Sequence, residues 1–394
     1  MGAPLVVVGA GLAGWTTVRE FRKLDSETPV TVITSDSGDF YAKPTLSNAL
    51  AQKRTPEQLV STAADKMAET LHVTLRAHST VEALDTVQRS VTFTTQGQRQ
   101  TLPYGQLVLA TGAEPIRSAI AGNAAGQVRS VNSLSDFVPF HALLSKGLPA
   151  DKTVLVIGAG LIGCEFANDL LQAGHHVHVV DPSPRPLAAL LPVASGLQLQ
   201  QALHALGAHW HFGTTVQAVD ETGTPGSATL RVALADGTQL AVDAVLSAIG
   251  LRARTALAVN AGLVCERGIV VDRFLQTSAA GVFALGDGAQ YASAGQRTLP
   301  YVMPIMNAAR ALAATLAGTA TELVFPLMPV SIKTPALPIV VSAAHPAVTG
   351  GWVADDAEAS GVWRFMDGEG AQRGFALSGA STARRLELAR QTQL

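Results

Sequence analysis

Short apolar runs alternate with helically spaced segments along the first half of the chain. Leu5–Val8 predicts a buried strand, residues 12–24 show the apolar spacing of a helix, and Val30–Ile33 predicts a second strand. The same order returns about 150 residues later, with strands predicted at Val154–Ile157 and Val177–Val180. Runs without polar alternation are typical of parallel strands that are covered on both faces. The pattern therefore predicts two βαβ units related as an internal repeat.

A glycine turn follows the first strand of each unit. The two turns are Gly9-Ala10-Gly11-Leu12-Ala13-Gly14 and Gly158-Ala159-Gly160-Leu161-Ile162-Gly163. Between a strand and a helix, the first glycine permits the tight turn and the second lets backbone approach a pyrophosphate, while the third lets the helix pack on the strand. The phosphates then face a helix N-terminus, where unpaired N–H groups favour anions. Two such turns predict that one chain holds two dinucleotides.

A carboxylate follows the second strand of each unit. Asp36 and Asp181 stand where an acid about 20 residues beyond the turn accepts hydrogen bonds from ribose hydroxyls. For Asp36 the alternative is a solvated loop carboxylate. Asp181 also repels a 2′-phosphate, which favours NADH over NADPH, although Arg185 could pair with such a phosphate. We expect both acids to bind ribose and the second unit to use NADH.

Further segments complete the domain pattern. Antiparallel strands are predicted within residues 90–102 and 229–242, and each set leads into an apolar strand that ends in small residues. Another buried strand, Val282–Leu285, precedes Gly286-Asp287 and a helix near Pro304, which returns the chain to the first domain. We expect an α/β fold with two Rossmann-like dinucleotide-binding domains, the second inserted in the first, and a smaller α+β C-terminal domain. The expected boundaries are 1–115 and 249–323 for the first domain, 116–248 for the second and 324–394 for the third.

The C-terminal domain has its own pattern. Strands are predicted around residues 339–341 and 363–365, after a stretch rich in proline. The last fifteen residues carry Arg384, Arg385 and Arg390 and predict a solvated terminal helix.

Composition narrows the function classes. A formal net charge of −2 gives no indication of a nucleic-acid or anionic-membrane partner, and no apolar stretch is long enough to span a bilayer. The only cysteines, Cys164 and Cys265, are far apart and form no C-x-x-C motif. This argues against a disulfide framework and a thiolate metal site, so no metal is expected. With no secretory signal at the N-terminus, a soluble cytoplasmic protein is expected.

Several motifs together resemble one known family. They are the two glycine turns, Lys43-Pro44-Thr45-Leu46-Ser47, Leu109-Ala110-Thr111-Gly112-Ala113, Gly163-Cys164-Glu165-Phe166-Ala167, Ala284-Leu285-Gly286-Asp287 and Lys333-Thr334-Pro335. Their order and spacing resemble the pyridine nucleotide-disulfide oxidoreductase superfamily, in its branch of FAD-dependent, NADH-using reductases of small iron proteins. The resemblance covers essentially the whole chain.

The resemblance implies two cofactors. The first turn, Gly9 to Gly14, would bind the ADP half of FAD, and the second turn would bind NADH. The other cofactor-binding residues that it implies are Ser35, Asp36, Lys43, Pro44, Val81, Thr111, Gly112, Gly158, Gly160, Leu161, Ile162, Gly163, Asp181, Gly250, Gly286, Asp287 and Val302. Two of these residues also have an interpretation without a cofactor: Val81 as an ordinary strand valine, and Lys43 as a surface cation.

Glu165 and Lys333 are the candidate catalytic residues, and both would also contact cofactor. Glu165 could instead complement the positive end of its helix. Related ferredoxin reductases have a lysine after Leu-Ser, whereas this chain has Asn48 there and offers Lys333 in the third domain. The resemblance implies that Lys333 lies near flavin N5, where a cation stabilises the anionic reduced flavin.

The implied reaction passes electrons from NADH to a separate protein. NADH delivers a hydride to flavin N5, and single electrons then leave to rubredoxin. No cysteine follows Tyr41 where disulfide reductases of the superfamily keep their reactive thiol, so disulfide reduction is set aside. A [2Fe–2S] ferredoxin of an oxygenase system is the alternative acceptor. A non-catalytic NADH-sensing flavoprotein is the alternative of another class.

Overall fold

Backbone contacts divide the chain into two units that interleave along the sequence. The computed structural model describes residues 4–145, 151–222, 230–355 and 361–393. The first unit comprises residues 1–43, 57–114 and 251–326, and the second comprises 44–56, 115–250 and 327–394. This division groups 44–56 and 327–394 with the second dinucleotide-binding segment, and the finer domain boundaries stay a prediction.

A parallel sheet forms the centre of the first unit. Its strands, in spatial order, are Val282–Ala284, Gln106–Leu109, Leu5–Val8, Val30–Ile33 and Thr74–Arg76. Every residue of Leu5–Val8 is buried, and this explains the lack of polar alternation there. The return of the chain through Val282–Ala284 to complete this sheet is confirmed.

Two helices pack together beside this sheet. Leu12–Arg22 follows the first glycine turn and ends two residues before the predicted end, and Val302–Leu316 begins just before Pro304 as predicted. The Thr16 hydroxyl and the Met306 sulfur of these helices are 3.9 Å apart.

Smaller elements complete the first unit. The antiparallel meander that the sequence predicts is confirmed, with strands Ser79–Asp85, Ser90–Thr95 and Gln98–Pro103. The remaining strands pair two by two: Phe40–Tyr41 with Val60–Thr62, Ala113–Pro115 with Leu251–Ala253, and Ile269–Val271 with Ala289–Tyr291. Two short helices, Lys43–Asn48 and Pro56–Leu59, cross the boundary of this unit. Its remaining helices are Ala64–Leu71, Ala256–Asn260, Gly286–Gly288 and Ala292–Ala294.

The second unit repeats the parallel arrangement with four strands. In spatial order they are Ala208–Phe212, His176–Asp181, Thr153–Ile157 and Ala244–Ser247. Its helices are Leu134–Ser145, Leu161–Gln172 and Val193–Ala205, with a short turn of helix at Ala125–Gln127. The predicted meander consists of Val216–Glu221, Leu230–Leu234 and Gln239–Val242, while Thr229 lies outside the described residues.

Three histidines meet at one edge of this four-stranded sheet. His178 is paired in register with His209, and the two rings stack with centroids 5.0 Å apart. His178 Nδ1 lies 3.0 Å from His211 Nε2. His178 is half-buried, and His209 is exposed.

The C-terminal segment folds as an antiparallel sheet with one helix. The strands, in spatial order, are Val330–Ile332, Ile339–Ser342, Gln372–Ser378, Val362–Asp367 and Gly350–Ala354. The predicted terminal helix is shorter than expected and covers Arg385–Gln391, because Gly379–Arg384 forms a 3₁₀ helix. It is also not wholly solvated, since Leu388 is buried. Arg384, the last residue of the 3₁₀ helix, pairs with Asp355 at 3.2 Å and with Glu387 at 2.7 Å.

The architecture confirms the predicted α/β class, with two parallel nucleotide-binding sheets and a smaller α+β part. None of the helices in the described ranges is long and apolar enough to cross a membrane.

Candidate functional site

The first glycine turn has the geometry of a dinucleotide cradle. Gly9 has φ +108°, and a Cβ added there would lie 2.2 Å from the carbonyl oxygen of Ala110. A Cβ on Gly14 would lie 1.9 Å from Gly9 O, whereas a Cβ on Gly11 would meet nothing within 4 Å. Two glycines are therefore required by close packing, and the middle one leaves open space beside the N-terminus of the helix that begins at Leu12.

Ser35 and Asp36 are exposed just beyond the second strand of this unit. Asp36 Oδ1 accepts hydrogen bonds from the Thr34 hydroxyl at 2.6 Å and the Gly38 N–H at 3.0 Å. These bonds fix the carboxylate, and within the described ranges its other oxygen remains available to ribose hydroxyls.

A second group of predicted residues lies where strands of the first unit end. Asp287 approaches Lys43, with Oδ2 and Nζ 3.7 Å apart, and its side chain is 14% exposed. The neighbouring Gly286 has φ +83°, and its N–H donates to the buried Tyr291 hydroxyl at 2.7 Å. The tyrosine hydroxyl donates back to Gly286 O at 3.2 Å, so this buried ring braces the turn that carries Asp287.

The remaining residues that the resemblance implies for the first cofactor occupy different elements. The Thr111 hydroxyl donates to Arg254 O at 3.1 Å, and Gly112 takes φ +69°. Val81 is half-buried opposite Phe93. Val302 is exposed at the first position of its helix, and Pro44 lies in the 3₁₀ helix Lys43–Asn48.

The second glycine turn repeats the cradle of the first. Gly158 has φ +101°, and its added Cβ would lie 2.8 Å from Ala248 O. The added Cβ of Gly163 would lie 1.9 Å from Gly158 O, and that of Gly160 would meet nothing within 4 Å. Leu161 and Ile162 open the helix that follows.

Asp181 is tied to this turn. Its Oδ2 accepts from the backbone N–H of Ala159 at 2.7 Å, and its Oδ1 accepts from Ser183 N–H at 2.7 Å. Arg185 points elsewhere, because its guanidinium donates to the carbonyls of Ala188 and Leu191 at 3.2 and 3.0 Å. One nitrogen of the guanidinium, Nη2, is thus engaged by its own loop, whereas the buried Nη1 has no hydrogen-bond partner in the described part of the chain.

Gly250 ends the apolar strand segment of the second unit. It takes φ +113°, and its carbonyl accepts the Ile116 N–H at 3.0 Å. The regular strand stops earlier than the sequence predicts, at Ser247.

Glu165 and Lys333, the two candidate catalytic residues, are in direct contact within the second unit. Glu165 is 2% exposed, and the Lys333 side chain is 29% exposed. The Lys333 ammonium forms an ion pair with Glu165 Oε2, and the Lys333 backbone N–H donates to Oε1 at 2.9 Å. The Ser47 hydroxyl donates to Glu165 Oε2 at 2.7 Å and accepts from Lys333 Nζ at 2.8 Å.

A buried polar stripe continues from Glu165 along its helix. Asn168 Oδ1 accepts the Ala336 N–H at 3.1 Å. The two oxygens of Asp169 accept the backbone N–H groups of Leu50 and Ala51 at 3.0 and 2.9 Å. Burial raises the pKa of Asp169 to about 6, although these two hydrogen bonds and the Lys333 charge oppose the rise.

Sequence reasoning missed Ser47, Asn168, Asp169 and Tyr291. A usable signal existed for two of them, because Asn168 and Asp169 follow Glu165 by three and four residues and so share its helix face. The signal for Ser47 was weaker, since it stood in a quoted motif without an assigned role.

The two cysteines do not form a disulfide. Cys164 is fully buried, and burial raises the pKa of its thiol well above the usual range. Cys265 is half-buried and also unpaired with any cysteine. Across the described ranges, no cluster of three or more histidine, cysteine, aspartate or glutamate side chains could hold a metal ion.

Comparison with known proteins assigns the chain to a family. Residues 3–313 match the pyridine nucleotide-disulphide oxidoreductase family. The chain belongs to that family. This pyridine nucleotide-disulphide oxidoreductase also matches, over residues 322–392, a family described as the rubredoxin binding C-terminal domain.

Curated relatives align over nearly the whole oxidoreductase chain. A rubredoxin-NAD(+) reductase of Acinetobacter baylyi is 42% identical over 381 residues, covering 97% of this chain and 95% of the relative. A rubredoxin-NAD(+) reductase of Alcanivorax borkumensis is 43% identical over 386 residues, covering 98% and 97%. A nitric oxide reductase FlRd-NAD(+) reductase of Vibrio vulnificus is 40% identical over 339 residues, covering 86% and 85%.

Solved structures share the oxidoreductase fold. The putidaredoxin reductase–putidaredoxin complex matches with a TM-score of 0.86 and 24% identity, covering 99% of this chain and 94% of that one. A ferredoxin reductase from Rhodopseudomonas palustris matches with a TM-score of 0.87 and 23% identity, covering 100% and 96%. The superfamily resemblance stated from sequence is confirmed.

Proposed function

We propose that this chain is an FAD-containing enzyme that passes electrons from NADH to rubredoxin. The observation that carries the proposal is similarity at 42–43% identity to two rubredoxin-NAD(+) reductases over 95% and 97% of their lengths. The match of residues 322–392 to a rubredoxin-binding domain extends this support to the partner. Two glycine cradles in one chain agree with two dinucleotides.

The first cradle suits the pyrophosphate of FAD. The open space at Gly11 admits phosphate oxygens, and the N-terminus of the helix at Leu12 offers N–H donors and a positive dipole end. Asp36 has an oxygen available for the adenosine ribose. FAD, when bound, supplies the conversion of a two-electron hydride into single electrons.

The second cradle suits NADH. Gly160 leaves space for the pyrophosphate, and Asp181 stands at the end of the adjacent strand, fixed by two backbone N–H groups. A carboxylate here accepts from both ribose hydroxyls and repels a 2′-phosphate. Arg185 Nη2 is hydrogen-bonded to carbonyls of its own loop, so this nitrogen is not free to pair with a 2′-phosphate.

Lys333 is proposed as the cation that stabilises the negative charge of the reduced flavin. Its ammonium carries a fixed positive charge next to the buried Glu165 and remains partly exposed. A preorganised positive charge stabilises negative charge that develops during hydride transfer, and needs no reorganisation at that moment. Glu165 holds the charge in place.

The test is spectroscopic and kinetic. The purified protein is expected to show a flavin spectrum that bleaches on addition of NADH and returns on addition of oxidised rubredoxin. Parallel assays with rubredoxin and a [2Fe–2S] ferredoxin separate the two acceptors, and a clear preference for ferredoxin would overturn the proposed partner. A flavin that NADH does not bleach would favour the NADH-sensing alternative.

We also propose a cytoplasmic location. Two cysteines that form no disulfide and the use of NADH both fit that compartment.

A further inference from the structure

We propose that Ser47 is a positioning residue for electron transfer, holding the Lys333 ammonium beside Glu165. The inference rests on the proposed function, because the Lys333 charge matters to the reaction only if the chain binds FAD and oxidises NADH. Ser47 itself is not proposed to touch substrate or cofactor.

Ser47 closes a three-residue network inside the second unit. Its hydroxyl donates to Glu165 Oε2 at 2.7 Å and accepts from Lys333 Nζ at 2.8 Å, while the same ammonium contacts Glu165 Oε2 directly. A serine has one proton to donate, and the alternative acceptor, the carbonyl of Pro44, lies farther away at 3.4 Å. The short bond to a charged acceptor therefore sets the orientation of the hydroxyl.

The segment that carries Ser47 is held at a second point. Asp169, one helical turn beyond Glu165, accepts the backbone N–H groups of Leu50 and Ala51. Ser47 is 3% exposed. Because Glu165 and Asp169 bind this segment from one rigid helix, the hydroxyl cannot move away without breaking a buried hydrogen bond.

The network gives the Lys333 ammonium a defined direction. An ammonium has three N–H donors, of which Glu165 and Ser47 take two. The third donor is left for a group outside the network, and its direction is fixed by the other two. Without the serine hydroxyl, the ammonium keeps one carboxylate oxygen, about which its flexible four-carbon stem can rotate.

The direct test compares Ser47→Ala with a matched control. Ser195 is a buried serine of the same unit whose hydroxyl has no partner in the described part of the chain, so Ser195→Ala removes a hydroxyl without touching the network. In the FAD-bound protein, Ser47→Ala should slow flavin reduction by NADH about tenfold. It should leave the Kd for NADH and the FAD content unchanged, and Ser195→Ala should match the wild type.

A double-mutant comparison shows whether Ser47 acts through Lys333. Lys333→Met removes the ammonium, so adding Ser47→Ala to it should slow flavin reduction no further. The reduction potential of the bound flavin gives a readout other than turnover. It should become more negative in Ser47→Ala, because the positive charge is held less firmly, and should not change further in the double variant.

The Ser47→Ala variant can overturn the inference in two ways. It could show wild-type kinetics of flavin reduction and a wild-type flavin potential. It could also slow flavin reduction equally with and without Lys333. If Ser47→Ala does not fold, Ser47→Thr, which keeps the hydroxyl, should stay within about threefold of the wild-type rate, and a larger loss would count against the inference. Failure of the proposed function is distinguishable, since the wild-type flavin would then not be reduced by NADH.

Discussion

Lowering the pH from 7 to 5 should cost the protein about 1 kcal/mol of unfolding free energy through His178 alone. The pKa of His178 falls from its usual 6.5 to about 4, chiefly because the ring is buried, with further contributions from His211, His209 and His176 nearby. A depressed folded-state pKa means that the unfolded chain takes up the proton first. The stability is complete above pH 6.5 and is lost as the pH falls toward 4.

The magnitude follows from the interval between the two pKa values. One pKa unit corresponds to about 1.4 kcal/mol, so 6.5 against about 4 sets an upper bound of about 3 kcal/mol at low pH. At pH 5 the unfolded histidine is almost fully protonated and the folded one is not, which gives about 2 kcal/mol. Because His178 is only half-buried, solvent screening reduces this to about 1 kcal/mol.

The assay is urea unfolding of the FAD-bound protein at pH 7 and pH 5, for the wild type and His178→Gln. The variant should lose less stability between these pH values than the wild type. The comparison cancels shared contributions, including that of Asp169, whose raised pKa stabilises the fold as the pH falls. His345→Gln, which removes an exposed histidine outside the cluster, controls for loss of a histidine as such. Equal losses in His178→Gln and the wild type would refute the reasoning.

Three further predictions concern the cofactor and partner sites. Gly163→Ala should disrupt folding of the second unit, because its Cβ would lie 1.9 Å from Gly158 O. Gly160→Ala, whose Cβ would meet nothing within 4 Å, should keep the fold and weaken NADH binding about tenfold or more. Circular dichroism measures the fold and NADH titration the binding, and equal effects of the two substitutions would contradict the turn geometry. Asp181→Ala should raise KM for NADH about tenfold or more with little change for NADPH, and an unchanged KM for NADH in steady-state assays would show that Asp181 is misassigned. Rubredoxin reduction should slow as NaCl rises from about 50 to about 500 mM, since rubredoxins tend to be acidic; salt-independent rates would exclude electrostatic steering.

The glycine turns could be predicted from sequence because their constraints are local. Gly9 and Gly158 take positive φ values where only glycine is unstrained, and their neighbours in sequence already show a strand before and a helix after. The apolar runs were equally informative, since each had to be buried on both faces. The fold class and the expectation of two dinucleotides therefore followed from short stretches of the chain, whereas FAD as the first of them was implied by the family resemblance.

The network around Lys333 could not be derived in this way. Lys333 contacts Glu165, which is 168 residues away in sequence, and Ser47, which is 286 residues away. Only the folded chain brings these residues together. The direction of Arg185 was equally inaccessible, because it depends on carbonyls of a loop whose path the sequence does not specify. The terminal helix was predicted too long, since the arginines alone do not reveal that Gly379–Arg384 forms a 3₁₀ helix.

The interleaved order of the two units has a consequence during synthesis. The strand Gln106–Leu109 leaves the ribosome with one edge unpaired, because its neighbour Val282–Ala284 emerges about 170 residues later. At elongation rates of about 5–20 residues per second, that interval lasts roughly 10–35 s. Throughout it, Leu107 and Leu109 present an apolar ribbon with free backbone hydrogen-bonding groups, which is the form most prone to pairing with another nascent chain. We therefore expect the yield of the folded protein to depend on protection of that strand edge until Val282–Ala284 has emerged.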